Sequence, residues 1–197
     1  TVDDSAMFDG TDYLTRTNDT TQSDTKKFTF STWIKRSVVL DGTANGLLNG
    51  GGGTDAGRTD FLFTAGSATG DGSNYDALKF DIYTSGWTQR RTLIKLQSTS
   101  NWYHVVLVYD AANVTAADTL IIYVNGTRQT LDSASGVPDN LSLVNADTEV
   151  TKVGAEGSVT PVEFEGYMAE TVMCDGQAYA ASDFGQTDTS TNRWIPK

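Results

Sequence analysis

Two stretches in the middle of the chain carry its clearest apolar pattern. Trp102 to Asp110 (WYHVVLVYD) is aromatic or β-branched on both faces, as a strand covered on both sides would be. Leu120 to Val124 repeats the pattern and runs into Asn125-Gly126. An Asn-Gly pair between strand-like runs predicts a two-residue hairpin turn, because both positions need positive φ. The centre of the protein is therefore expected to be antiparallel sheet, with Trp102–Asp110 and Leu120–Val124 as interior strands.

Alternation with a period of two recurs on either side. Ala6 to Leu14 reads as a short strand, a turn and a second strand, and Thr15 to Thr25 as loop. Phe28 to Lys35 places Phe28, Phe30 and Ile34 on one face and Trp33 alone on the other. Asn49 to Thr59 holds five glycines and reads as a long flexible loop. It lacks the Gly-Lys-Ser/Thr that a phosphate loop needs to reach phosphate and metal. Phe61 to Ala65 reads as a short strand and Gly66 to Asp76 as a polar loop. Ala77 to Thr84 directs Leu78, Phe80 and Ile82 inward and Lys79 and Asp81 outward, and pairs with Arg90 to Leu96 through Ser85-Gly86. Downstream, Glu149 to Gly154 and Val162 to Cys174 read as strands, Gly166 marking a bulge or a close backbone approach. Ala180 to Phe184 predicts one helical turn, and the rest of the chain has no period. Roughly twelve strands with almost no helix predict an all-β fold, a two-sheet antiparallel jelly-roll sandwich. It is expected as one domain over residues 1–197, with an irregular tail from about residue 175.

Composition narrows the function. The formal charge of −11 gives no basic footprint for nucleic acid. The acid is scattered, as on a solvated surface with room for cation sites. No run is apolar enough for a membrane helix, and no signal-peptide pattern opens the chain. One cysteine, Cys174, excludes an intramolecular disulfide. Sequons at Asn18, Asn113, Asn125 and Asn140 are no more than chance supplies in a threonine-rich chain.

The blocks FDGTDYL (8–14), FTFSTWIKRS (28–37), WYHVVLVYD (102–110), LIIYVNGTR (120–128), KVGAEG (152–157) and FEGYMAE (164–170) stand in an order that resembles the laminin-G branch of the concanavalin A-like jelly rolls. Met168-Ala169-Glu170 departs from the Ile-Asp-Glu-like run of many members. The ending, CDGQAYAASDFGQTD and then NRWIPK, is similar to the close of this domain in structural proteins of tailed bacteriophages. That resemblance implies a non-enzymatic virion protein, made in the host cytoplasm. Its lectin-like domain would sit on tail or fibre and contact host-surface glycans. The alternative is a capsid decoration or head-fibre protein with a purely structural role. Either setting implies other virion proteins as partners and a homo-oligomer.

Candidate chemistry is sparse. Glu163 and Glu165 alternate onto one strand face, but the Glu-x-Asp-x-x-Glu pattern of this fold's glucanases is missing, so both are expected to be solvated. His104 has no nucleophile elbow and no set of zinc ligands around it, and is expected buried or at a rim with a hydrogen-bond partner. Cys174 is expected to be an inert packed thiol. Calcium is the serious metal candidate: the lectin-like resemblance implies a rim site, and Asp9 and Asp12 flank Gly10 in a tight turn. Asp71, Asp76 and Asp110 are further carboxylates for it. Sugar binding would use aromatic rings near loops, for which Tyr75, Tyr83 and Trp87 are the candidates.

Overall fold

The structure is a computed structural model that describes residues 2–21, 24–39, 44–51, 57–65, 75–137, 142–157 and 162–197. The strands among them are β1 (Ala6–Asp9), β2 (Leu14–Thr17), β3 (Lys27–Arg36), β4 (Asn45–Gly50), β5 (Thr59–Phe63), β6 (Ala77–Tyr83), β7 (Trp87–Lys95) and β8 (Tyr103–Asp110). There follow β9 (Leu120–Val124), β10 (Thr127–Arg128), β11 (Val150–Val153), β12 (Ala155–Glu156), β13 (Val162–Glu163), β14 (Glu165–Asp175), β15 (Gly185–Asp188) and β16 (Arg193–Pro196). Two six-stranded antiparallel sheets are stacked: sheet A in the order β1-β14-β3-β8-β9-β10 and sheet B in the order β2-β11-β4-β5-β6-β7. The sandwich expected from the alternation is what the chain forms. The Asn125-Gly126 turn is also as expected, with φ of 48° and 77°.

Between the sheets lies one continuous apolar core. β3 supplies Phe28, Phe30 and Ile34, β8 supplies Val105, Leu107 and Tyr109, and β6 supplies Leu78, Phe80 and Ile82. One ion pair is buried with them: Arg36 Nη1 lies 2.7 Å from Asp76 Oδ1, both side chains almost wholly covered. Arg36 also donates to the Leu96 carbonyl at 2.9 Å and lies 4.2 Å above the Phe63 ring. The fork ties the end of β3 to the entry of β6, where Asp76 holds a positive φ of 62°.

Three expectations are corrected. The glycine-rich stretch is not all loop, because Asn49 and Gly50 end strand β4. The glycines of β4 serve close packing: a Cβ on Gly46 would fall 1.8 Å from the Glu156 amide nitrogen, and one on Gly50 2.2 Å from that of Val144. Val162 to Cys174 is two strands, because Phe164 turns fully inward and the chain changes sheets there. Gly166 is the expected close approach, its Cβ position 2.3 Å from the Lys35 carbonyl oxygen.

The third correction is the tail. Residues 176–197 cross the outer face of sheet A and end in the β15–β16 hairpin. Ala181, Phe184 and Trp194 pack there on Val106, Val108, Ile121 and Tyr123. This layer is why β8 is apolar on both faces. No period betrays it because its contacts are made by isolated side chains, held by turns such as the one Asp188 builds from Ser190 and Thr191.

Candidate functional site

The outer face of sheet B carries a row of polar side chains that cross-strand pairing places side by side. Lys152 on β11 opposes Asn49 on β4, Asn49 opposes Asp60 on β5, Asp60 opposes Asp81 on β6, and Asp81 opposes Gln89 on β7. All but Gln89 are buried, since β12 and β13 pass over the inner half of the row. Burying charge is tolerated only where each group is paired. Asp60 Oδ1 accepts from Asn49 Nδ2 at 2.7 Å and from the Gly157 amide at 3.2 Å, while its Oδ2 lies 3.0 Å from Arg58 Nε. Lys79 Nζ lies 3.1 Å from Asp81 Oδ2, and Lys152 Nζ donates to the Gly157 carbonyl at 2.9 Å. Lys79 and Asp81 do point outward, as alternation requires, but into this network and not into solvent.

Towards β7 the face opens. Tyr83 and Trp87 face each other across the β6–β7 hairpin, ring centroids 5.2 Å apart and edge-on. Arg58 lies 5.1 Å above the Trp87 ring, a cation–π contact that fixes its plane. Trp87 remains 43% exposed, so one aromatic surface is free to stack beside Gln89 and Arg91. Glu156, on the covering ribbon, lies 3.6 Å from Arg58. Burial, and then the nearby Asp60 carboxylate, lift its pKa to about 7. The arrangement offers a rigid aromatic platform next to preset hydrogen-bond donors and acceptors, which suits a polyhydroxylated ligand.

Of the aromatic candidates, the structure brings Tyr83 and Trp87 together and leaves Tyr75 apart. Tyr75 lies two residues before β6, beyond the end of the strand opposite Tyr83, which is about 20 Å along it at ~3.3 Å per residue, and its ring is under Lys95 at 3.9 Å. Asp9 and Asp12 are exposed, and the Asp9 Oδ1 accepts from the Thr11 amide at 2.9 Å and its hydroxyl at 2.7 Å. Calcium takes six to eight oxygens. Among the described residues no three acidic, histidine or cysteine side chains are grouped to hold a metal. Asp76 is committed to Arg36 in the core, and Asp110 lies 3.5 Å from Lys27 Nζ. Asp71 lies outside the described residues.

The remaining candidates have structural surroundings. Glu163 sits in the β12–β13 ribbon and Glu165 in sheet A, so they do not share a strand face. His104 is buried between two indoles, 4.9 Å from the Trp33 ring and 6.0 Å from that of Trp194. An indole N–H only donates, so the 2.9 Å bond from Trp194 Nε1 makes His104 Nδ1 an acceptor. The Nε2–H then donates to Ser31 Oγ at 2.9 Å. Burial lowers the pKa of this ring to about 4. In a catalytic triad Nδ1–H would donate to a carboxylate, whereas here Nδ1 is unprotonated and accepts. Cys174 is half-buried on β14, and burial raises its thiol pKa.

Sequence reasoning missed Arg58, Asp60, Lys152 and Glu156. Arg58 and Asp60 border the glycine-rich stretch, and Lys152 and Glu156 come from a strand pair about a hundred residues later. The legible signal was Lys79 and Asp81 on one face of a strong strand.

A family model described as the concanavalin A-like lectin/glucanases superfamily matches residues 8–183. Among solved structures, domain 4 of AbnA, a GH43 extracellular arabinanase from Geobacillus stearothermophilus, in complex with arabinotriose, superposes with a TM-score of 0.60 at 17% identity. The match covers 89% of this chain and 72% of that one. The Ruminococcus gnavus IT-sialidase CBM40 bound to alpha2,3 sialyllactose gives a TM-score of 0.56 at 10% identity, covering 91% and 93%. The LG4-5 domains of the mouse laminin alpha1 chain give 0.55 at 8% identity, covering 91% and 45%. No curated protein matches the sequence.

Proposed function

The chain belongs to the concanavalin A-like lectin/glucanases superfamily, and from that premise we propose that it is a non-enzymatic carbohydrate-binding domain. Its ligand lies on the outer face of sheet B, stacked on Trp87 and hydrogen-bonded beside Gln89 and Arg91. The observation that carries the reading is the exposed Trp87 ring, held by Tyr83 and Arg58 at the open end of a paired polar floor. The solved structures with arabinotriose and sialyllactose support it as neighbours in fold. Calorimetric titration with a panel of oligosaccharides tests it. Trp87→Ala should weaken the best ligand at least about tenfold, as loss of a buried aromatic anchor does. An unchanged affinity in a folded Trp87→Ala variant overturns the assignment.

Absence of catalysis is part of the same proposal. Asp60 and Asp81 are each paired with a protein cation, and Glu163 and Glu165 are on separate sheets. The domain is expected to leave soluble β-glucans, alginate and lipopolysaccharide uncut. Release of reducing ends that disappears in Glu156→Gln would contradict this.

The setting we propose is a bacteriophage virion, with the domain on tail or fibre contacting host-surface glycans. The similarity of the Phe164 to Lys197 ending supports it, as does a charge of −11, which keeps many copies apart before assembly. Gold-labelled antibody should mark the tail and block adsorption. Label spread over the head, with adsorption untouched, would favour capsid decoration.

A further inference from the structure

On the opposite side of the molecule, where residues 176–197 cross sheet A, the surface forms a cleft of about 310 Å3. Its floor is apolar: Val108 and Ile121 oppose each other across β8 and β9. Two tyrosines line it. Tyr123 lies two residues beyond Ile121 on the same face of β9. Tyr179 comes from the C-terminal segment, 41% exposed, and meets the Phe184 ring edge-on at 6.1 Å.

The polar groups of the cleft are fixed and neutralised. Arg128 Nη1 lies 2.7 Å from Asp118 Oδ1, and its Nη2 donates to the Ala117 carbonyl at 2.6 Å. Asp110 is 3.5 Å from Lys27 Nζ and accepts from Asn113 Nδ2 at 3.3 Å. With these charges matched inside the protein, an ionic ligand gains little here. A neutral ligand with one apolar face and a rim of hydroxyls gains most. A pyranose has that form, with C–H groups on its ring face and hydroxyls at its edge. The volume is at the lower end of ligand pockets, about 300–1,000 Å3, which suits a chain end over a long stretch of polymer.

We propose that this cleft is a second carbohydrate site, taking a single neutral pyranose unit stacked between Tyr123 and Tyr179. It shares no residue with the Trp87 face and stands or falls independently of it. Protein with isotope-labelled tyrosine rings, titrated with the methyl glycosides of glucose, galactose, mannose and N-acetylglucosamine, tests the assignment. Saturable shifts of Tyr123 and Tyr179 are expected for at least one of them, weakened about tenfold or more in Tyr179→Ala and untouched in Trp87→Ala. Should Tyr179→Ala loosen the C-terminal segment, seen as movement of the Trp194 indole resonance, Ala178→Trp fills the cleft from an exposed position and is expected to abolish the shifts. Absence of saturable shifts with all four sugars overturns the proposal. So do shifts that survive both variants, or that vanish in Trp87→Ala.

Discussion

At the residue scale, three side-chain environments make firm predictions. A Cβ on Gly126 would fall 2.5 Å from the Trp194 ring, and the position holds a φ of 77°. Gly126→Val combines left-handed strain of about 1–2 kcal/mol with displacement of that indole, so a clear loss of melting temperature is expected. An unchanged melting curve would place the turn elsewhere. Asp76→Ala leaves the Arg36 guanidinium charged and buried without its carboxylate. Chemical denaturation should report a loss of about 3–5 kcal/mol. A loss under ~1 kcal/mol would mean the pair is not closed in solution. His104 stays neutral in the fold, with a pKa near 4 against an ordinary 6.5. As pH falls from 6.5 towards 4 the unfolded chain takes up a proton that the folded one refuses, and stability drops.

At the scale of elements, the β12–β13 ribbon works against that titration. Glu156 keeps its proton to about pH 7 when folded but releases it near 4.5 when unfolded, so its contribution grows as pH falls from 7 to 4.5. The two effects oppose each other between pH 4.5 and 6.5. Glu156→Gln is therefore expected to melt more steeply with acid than the parent over that range. Parallel curves for the two proteins would show that Glu156 titrates normally. The ribbon also explains Gly46, whose Cβ position coincides with the Glu156 backbone. Gly46→Ala must lift β12 off sheet B, at an overpacking cost of about 1–3 kcal/mol measurable by thermal melting. No loss at all would mean the ribbon lies higher than described. These elements also mark the limit of sequence reading. β3 and β6 announce themselves by period because one face of each meets a continuous core, and β8 and β9 by apolar runs because both of their faces are covered. β4 does not, because close packing demanded glycine where a pattern would show. The C-terminal segment does not either, because it touches the sheet through single residues spaced by turns.

Over the whole molecule the sandwich was legible and its functional faces only partly so. Alternation tells which side chains point away from the core, as it did for Lys79 and Asp81. It does not tell whether they meet water, a ribbon or a ligand, which depends on segments a hundred residues distant. Hence Tyr83 and Trp87, joined by one short hairpin, could be paired from sequence, whereas Arg58 and Glu156 could not. The two binding faces proposed lie on opposite sheets, so a domain carrying both would hold two glycan chains at once.

The pairing of β1 with β14, Ala6 opposite Met168, sets a schedule for synthesis. A ribosome adds about 5–20 residues per second, so β1 waits on the order of ten seconds or more before β14, its one strand neighbour among the described residues, is translated. Until then Met7 and Phe8 have no sheet to join, and Val106 and Val108 lack the layer that finally covers them. Asp3, Asp4 and Asp9 flank the waiting strand with like charge, a feature that disfavours edge-to-edge pairing. A message truncated before β14 is thus expected to yield a sticky, protease-sensitive product, because β14 joins β1 to β3 and the segment after it covers the outer face of sheet A.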